Sequence, residues 1–210
     1  MVEILHIAPQ DIEAESFRII ADELGPHSFS PEEFAVVQRC IHATGDFSFA
    51  DNLRFNHGAI QAGLKAIRAG RNILVDVTMA ASGVSKAMLA EFGGKVICHV
   101  GEPETAAMAK ENGTTRSDAA VMRAVDENIG IVAVGNAPTA LLKAMELIEA
   151  GRLTPDLVIG APVGFVNAAE SKQLLIEKPY PHIAALGRKG GTPVAVASLN
   201  ALIRLAKQAA

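Results

Sequence analysis

The groups in this 210-residue chain that could move a proton or hold an anion are a few histidines, arginines and one misplaced serine. Arg39 and His42 stand three residues apart, a spacing that sets both on one face of a helix. His42 also falls in the last turn before Thr44 and Gly45. A helix C-terminus favours the protonated imidazole, the form that acts as an acid near neutral pH. The other histidines are His6, His27, His57, His99 and His182, and no two of the six have the HxxxH spacing of a metal pair. No dedicated metal site is expected. Ser16 interrupts an apolar stripe of Ile12, Ile19, Ile20 and Leu24, so a polar group is expected on the inward face of the first helix. There is no GxSxG elbow, and neither Cys40 nor Cys98 has neighbours that would favour a thiolate. An acid–base enzyme or an isomerase fits these residues better than a hydrolase.

Further basic groups are Arg116 before Ser117, read as a helix N-cap, then Lys172 on a helix, and Arg188 with Lys189 after the last apolar run. Arginine presents a planar fork of donors that matches a carboxylate, so several separated arginines suit several separated carboxylates. Each of them can equally be a solvated surface charge. Glycine-containing segments follow or close the apolar runs: His99-Val100-Gly101, Gly135-Asn136-Ala137-Pro138-Thr139, Gly160 to Phe165, and Gly187-Arg188-Lys189-Gly190-Gly191. Asp76-Val77-Thr78 occupies the corresponding place after the first run. In an open parallel sheet ligands gather beyond the carboxyl ends of the strands, where helix N-termini offer free N–H groups to anions. Glycine also serves simply to let such loops turn, and both readings stand. None of the loops is GxGxxG or GxxxxGK[ST], so nucleotide binding has weak support.

The elements that must position these residues can be read from periodicity. Apolar runs Ile73 to Val77, Val96 to Val100, Ile131 to Val134, Leu157 to Ile159 and Ile183 to Leu186 alternate with helical patterns. These are around Val84 to Glu91, Glu104 to Glu111, Ser117 to Glu127, Thr139 to Glu149, Ala168 to Glu177 and Val194 to Lys207. Such alternation predicts an α/β fold with a mainly parallel sheet, covered by helices on both faces because the runs are almost continuously apolar. Three helices precede the first run: near Gln10 to Leu24, from Ser30 to a cap at Gly45, and near His57 to Ala69. The second is well marked, with Pro31 at its first position and Ser30 and Glu33 spaced as a capping box. A single domain over residues 1–210 is expected, with the helical segment of about 10–70 packed on the α/β core.

Composition bounds the function. Half of the residues are apolar, which excludes a disordered chain and allows one sizeable core. With 23 acidic against 19 basic side chains and no basic run, nucleic acid and anionic membranes are not expected partners. The chain has no Trp and a single Tyr at Tyr180, which leaves little for stacking on bases. No apolar run approaches the ~20 residues of a membrane span, and the opening MVEILHIAPQ lacks a positive leader, so a cytoplasmic setting is expected. Two cysteines make no disulfide framework and are read as small buried hydrophobes.

Four segments taken together carry a resemblance: Arg39 to Asp46 (RCIHATGD), Gly135 to Leu141 (GNAPTAL), Pro162 to Val166 with Glu170-Ser171-Lys172, and Gly187 to Gly191 (GRKGG). In this order, and over nearly the whole chain, the sequence resembles the precorrin-8X and cobalt-precorrin-8 methylmutases. The resemblance implies a three-layer α/β sandwich and a homodimer. It implies an isomerase that moves a methyl group from C-11 to C-12 of a corrinoid on the way to cobalamin, without an external cofactor. It puts the catalytic histidine on His42. It puts substrate-binding positions on Ser16, Arg39, Ser85 and Arg116, with Asn136 and Arg188 in the shared loops. A corrinoid bears many carboxylate arms, which scattered arginines and helix starts can hold. Two other classes share part of this pattern: a non-catalytic tetrapyrrole carrier, which would need no histidine, and a phosphate- or nucleotide-binding α/β enzyme using the GRKGG loop.

Overall fold

The computed structural model describes residues 6–56 and 58–208. The strands are Leu53–Phe55 (β1), Asn72–Val75 (β2), Val96–Ile97 (β3), Ile129–Val134 (β4), Leu157–Gly160 (β5) and His182–Ala185 (β6). They form one sheet in the order β1-β6-β5-β4-β2-β3. All neighbours are parallel except β1, which runs antiparallel to β6 with Leu53 opposite Ala185. The helices begin with Ile12–Leu24 (α1), Pro31–Thr44 (α2), Ser48–Asn52 (α3), Ala59–Arg68 (α4), Thr78–Gly83 (α5) and Lys86–Ala90 (α6). Pro103–Asn112 (α7), Arg116–Arg123 (α8), Pro138–Glu149 (α9), Ala168–Ile176 (α10) and Thr192–Gln208 (α11) complete them.

Successive side chains of a strand point to opposite faces, and here both faces are apolar. Ile73, Val75, Ile131, Ala133, Leu157, Ile159 and Ile183 pack against α2, α4, α5 and α11. Leu74, Val132, Val134, Val158 and Ala184 pack against α8, α9 and α10. The result is the expected three-layer arrangement. The five apolar runs all form strands, although Val96 to Val100 yields only two residues of strand at the sheet edge. Periodicity does not announce β1, because three residues are too few to show it. That strand exists because its backbone pairs with the otherwise open edge of β6. Nor does it announce the short helices α3 and α5.

Local signals explain most helix ends. Ser30 Oγ accepts from Glu33 N at 3.2 Å and Glu33 accepts from Ser30 N at 2.9 Å, closing the expected capping box. Gly45 ends α2 at φ +65°, its N–H donating to Ile41 O at 2.7 Å. The cap of α8 is a correction: Thr115, not Ser117, accepts from Asp118 N at 3.1 Å, and Arg116 is the first helical residue. Thr115 wins because Asp118 three residues on completes its box, whereas Ser117 has Ala120 there. The helix expected from His57 runs Ala59–Arg68, and His57 itself lies outside the described residues. The stripe of α1 also departs from expectation, since Ile12 is 51% exposed and only Ile20 of the helix is buried. Its Ser16 is half-buried, with Oγ donating to the Ile12 carbonyl at 2.8 Å, an i−4 bond within the helix. Cys40 is buried as expected, and burial pushes its thiol up to about 12. Cys98 is only half-buried, because it follows the edge strand.

Two buried charged groups organise the carboxyl ends of the strands. Asp76 directly follows β2 and is 3% exposed. Its carboxylate accepts from the backbone N–H groups of Gly135, Asn136 and Ala137 at 3.0, 2.8 and 2.7 Å. Lys172, read from sequence as a base available to a ligand, is instead wholly buried on α10. Its Nζ donates to the Lys189 carbonyl at 2.7 Å, and burial pushes the ammonium down from 10.5 to about 8.

Two stability predictions follow from these charges. Asp76→Asn brings an NH2 group among three N–H donors and should lower unfolding free energy by about 2–3 kcal/mol in urea denaturation; an unchanged midpoint would contradict the cradle. The depressed Lys172 means that the unfolded chain binds the extra proton between pH 8 and 10.5, so this side chain's contribution to stability rises with pH across that window. The difference in unfolding free energy between the native chain and Lys172→Met should therefore shift in favour of the native chain from pH 8 to pH 10.5. A pH-independent difference would refute it.

Candidate active site at the end of the second helix

The capped end of α2 presents His42 at the surface, beside the start of α11. A cavity of about 230 Å³ is walled there by Arg39, His42, Pro193, Val196 and Asn200. A larger one of about 570 Å³ shares Arg39 as a wall and opens between α1, α2, α6 and α11. Arg39 and His42 thus share the helix face that their spacing predicts. Phe17 of α1 meets the His42 ring edge-on, with centroids 5.3 Å apart, and lies 4.9 Å from the Arg39 guanidinium carbon. The aromatic face favours a cation there. Ser85 is tied to the same wall through Asn200, whose Oδ1 accepts from Ser85 N at 2.9 Å and whose Nδ2 donates to Gly83 O at 3.0 Å. Ser16 neighbours Phe17 on α1, with its hydroxyl hydrogen-bonded to Ile12 rather than to Arg39 or His42.

The expected loop residues occupy other positions. Asn136 is exposed, and its backbone N–H is held by Asp76. Its loop abuts α11, since a Cβ on Gly135 would come within 2.8 Å of Thr192 Cα. Arg188 is exposed, with its guanidinium carbon 5.4 Å from the centre of the Phe165 ring. The glycines of the GRKGG loop all have positive φ, and Gly190 also serves close packing. Gly190 has φ +155°, and a Cβ there would meet the Ala161 carbonyl oxygen at 2.4 Å, while Gly191 N donates to that oxygen at 2.7 Å. Positive φ at all three and the close approach at Gly190 account for the glycines without a phosphate. Lys189 Nζ donates to Asp46 at 2.7 Å and Ser48 at 2.9 Å, pulling the Asp46 carboxyl down to about 2 and fastening this loop to the segment after α2. Arg116 is exposed on α8, in the helical layer across the sheet from His42. One chain therefore gathers Arg39, His42 and Ser85 but leaves Arg116 and Arg188 apart from them.

The other described histidines have structural partners or lie elsewhere. His99 has Glu102 2.8 Å from Nδ1 and Glu127 2.7 Å from Nε2. His182 is buried in β6 with Nδ1 2.9 Å from the Tyr180 carbonyl, and burial pushes its pKa down. His27 stacks on Phe34 at 4.2 Å, and His6 is exposed before α1. Sequence reasoning missed Glu13 and Arg204. Glu13 Oε1 accepts from Arg39 Nη1 at 3.0 Å, and Glu13 Oε2 lies 3.7 Å from Arg204 Nη1. Nothing in their local spacing announces a meeting between the first helix and the last.

A family model described as precorrin-8X methylmutase matches residues 11–205. A cobalt-precorrin-8 methylmutase of Priestia megaterium is 45% identical over 203 residues, covering 96% of this chain and 90% of that protein. A precorrin-8X methylmutase of Pseudomonas aeruginosa is 40% identical, covering 92% and 94%. The crystal structure of a precorrin-8X methylmutase from Thermus thermophilus superposes with a TM-score of 0.89 at 51% identity, covering 95% of this chain and 97% of that one. With the fold, the length and the motif order in agreement, the chain belongs to the precorrin-8X methylmutase family, intramolecular isomerases that carry a methyl group from C-11 to C-12 in cobalamin synthesis.

Proposed function

We propose that this protein performs the family's methyl shift on precorrin-8 or cobalt-precorrin-8 with His42 as the proton donor. The observation that supports this most is the imidazole in the last turn of α2, on a cavity wall shared with Arg39. In this reading His42 gives a proton, or a strongly charged hydrogen bond, to a ring nitrogen or adjacent atom of the macrocycle. Electron density drawn away there makes the neighbouring carbon more electrophilic. The methyl bond to C-11 then breaks as the bond to C-12 forms on the same face, a suprafacial 1,5 shift. Proton donation of this kind contributes about 10²- to 10⁴-fold, and holding the ring in a reactive shape supplies the rest. No external cofactor enters the reaction. Ser16, Arg39, Ser85, Arg116, Asn136 and Arg188 are the proposed substrate-binding residues, the arginines gripping carboxylate arms.

The proposed working unit is a homodimer in the cytoplasm. Arg116 and Arg188 lie away from the His42 cavity, so a second copy is one way to bring further arginines to a large ligand. An apolar set, Met79 on α5 and Val163, Phe165 and Val166 on the loop after β5, is exposed, which suits a self-complementary contact. No helix among the described residues is long and apolar enough to cross a membrane.

His42→Ala should abolish turnover while the absorption change on corrinoid binding persists; conversion at near the native rate overturns the role. A complex whose spectrum never evolves after the native chain meets precorrin-8 or cobalt-precorrin-8 in turn would make it a carrier instead. Light scattering should give twice the chain mass, and Phe165→Glu should shift it toward one; a native chain that scatters as a monomer refutes the dimer.

A further inference from the structure

Resting on that reading, the structure suggests how one arm of the substrate is recognised. The cavity between α1, α2 and α11 is polar where two guanidinium groups, Arg39 of α2 and Arg204 of α11, converge. The group between them is the carboxylate of Glu13, one oxygen 3.0 Å from Arg39 and the other 3.7 Å from Arg204. Arg39 holds the Glu13 carboxyl below the ordinary carboxylate range, and Arg204 and His42 add smaller pulls in the same direction. A carboxylate held by two arginines, in a cavity adjoining that of His42, occupies the position that a carboxylate arm of a ligand would take. We propose that Arg39 and Arg204 form a two-guanidinium subsite for a carboxylate arm of the corrinoid, and that Glu13 fills it in the free protein and is displaced on binding.

Three features make Glu13 a removable occupant. The pairs are partly exposed, with Arg204 at 44% and Glu13 at 46%, so water screens them and each is weak. The first turn of α1 contributes little to the core, as Ile12 is 51% exposed and the buried residue of the helix is Ile20, two turns further on. The helix keeps a separate attachment, because Gln38 Nε2 donates to the Phe17 carbonyl at 2.8 Å and Phe17 packs on His42 and Arg39. Local opening of such a turn exposes little apolar surface. An intramolecular carboxylate is present at high effective concentration, so it competes with every incoming arm. It also sets specificity: a site that satisfies a carboxylate with two charged forks leaves them poorly matched to a carboxamide.

The test is the steady-state kinetics of cobalt-precorrin-8 conversion by the full chain carrying Glu13→Gln, Arg204→Ala, Arg204→Lys or both Glu13→Gln and Arg204→Ala. Glu13→Gln should lower KM by about two- to fivefold, the range expected for releasing a weak exposed pair. Tighter binding is an outcome that mere loss of structure does not produce. Arg204→Ala should raise KM by about fivefold, Arg204→Lys should restore part of it, and Glu13→Gln should gain less in the Arg204→Ala background, because only Arg39 remains to be freed. Melting temperatures of the variants establish that each is folded. A KM that stays the same or rises in Glu13→Gln overturns the displaced-occupant role. An unchanged KM in Arg204→Ala overturns the subsite. If the unaltered chain does not convert the corrinoid at all, the parent reading falls and the subsite with it.

Discussion

The close crossing of α2 over α11 is the contact on which the candidate site depends. Cys40 Sγ comes within 3.4 Å of Ser198 Oγ and 3.7 Å of the Val194 carbonyl, distances that only small side chains allow. Ala195, Ala197 and Ala201 keep α11 thin on both sides of that point, and each is buried. At this separation the last turn of α2 stands beside the first turn of α11, so His42 shares a wall with Pro193 and Asn200. A bulkier residue at Cys40 or Ser198 would force the helices apart and widen that wall, as overpacking does in any dense interior.

Around that crossing, charge is partitioned by position in the fold. Buried charges hold loops: Asp76 gathers three N–H groups of the β4–α9 turn, and Lys172 holds the Lys189 carbonyl. Each faces backbone dipoles rather than a counterion, which fixes loop geometry without an ion pair that a ligand could disturb. Partly exposed charges pair loosely: Glu13 with Arg39 and Arg204, and Lys189 with Asp46. These pairs are screened by water and contribute little to stability, which is why the Glu13 pairs suit the proposed exchange with a substrate's carboxylate. The framework is thus rigid where backbone must be placed and exchangeable where an anionic ligand would arrive.

The carboxyl ends of the strands show the same division. Gly190 and Gly135 sit where a Cβ would strike the backbone of Ala161 or Thr192, so these glycines join loops to one another and to α11. What the loops leave exposed is mostly side chain: Asn136, Phe165 and Arg188. The sheet therefore supplies a platform, and the helical pair α2 and α11 supplies the imidazole at its side.

The sequence by itself determined the α/β class, five of the strands, the capped ends of α2 and the shared face of Arg39 and His42. All of these are local: they follow from a strand's period of two, a helix's three- to four-residue spacing, and a serine or glycine satisfying its own helix end. The resemblance carried by four ordered motifs reached the family, which local physics could not. Only the tertiary structure decided what required distant segments to meet. It buried Lys172, added β1 to an open edge, and put Glu13 between two arginines 26 and 191 residues away. Those outcomes depend on which apolar faces pack together, and a charge's surroundings are settled by that packing rather than by its neighbours in the chain.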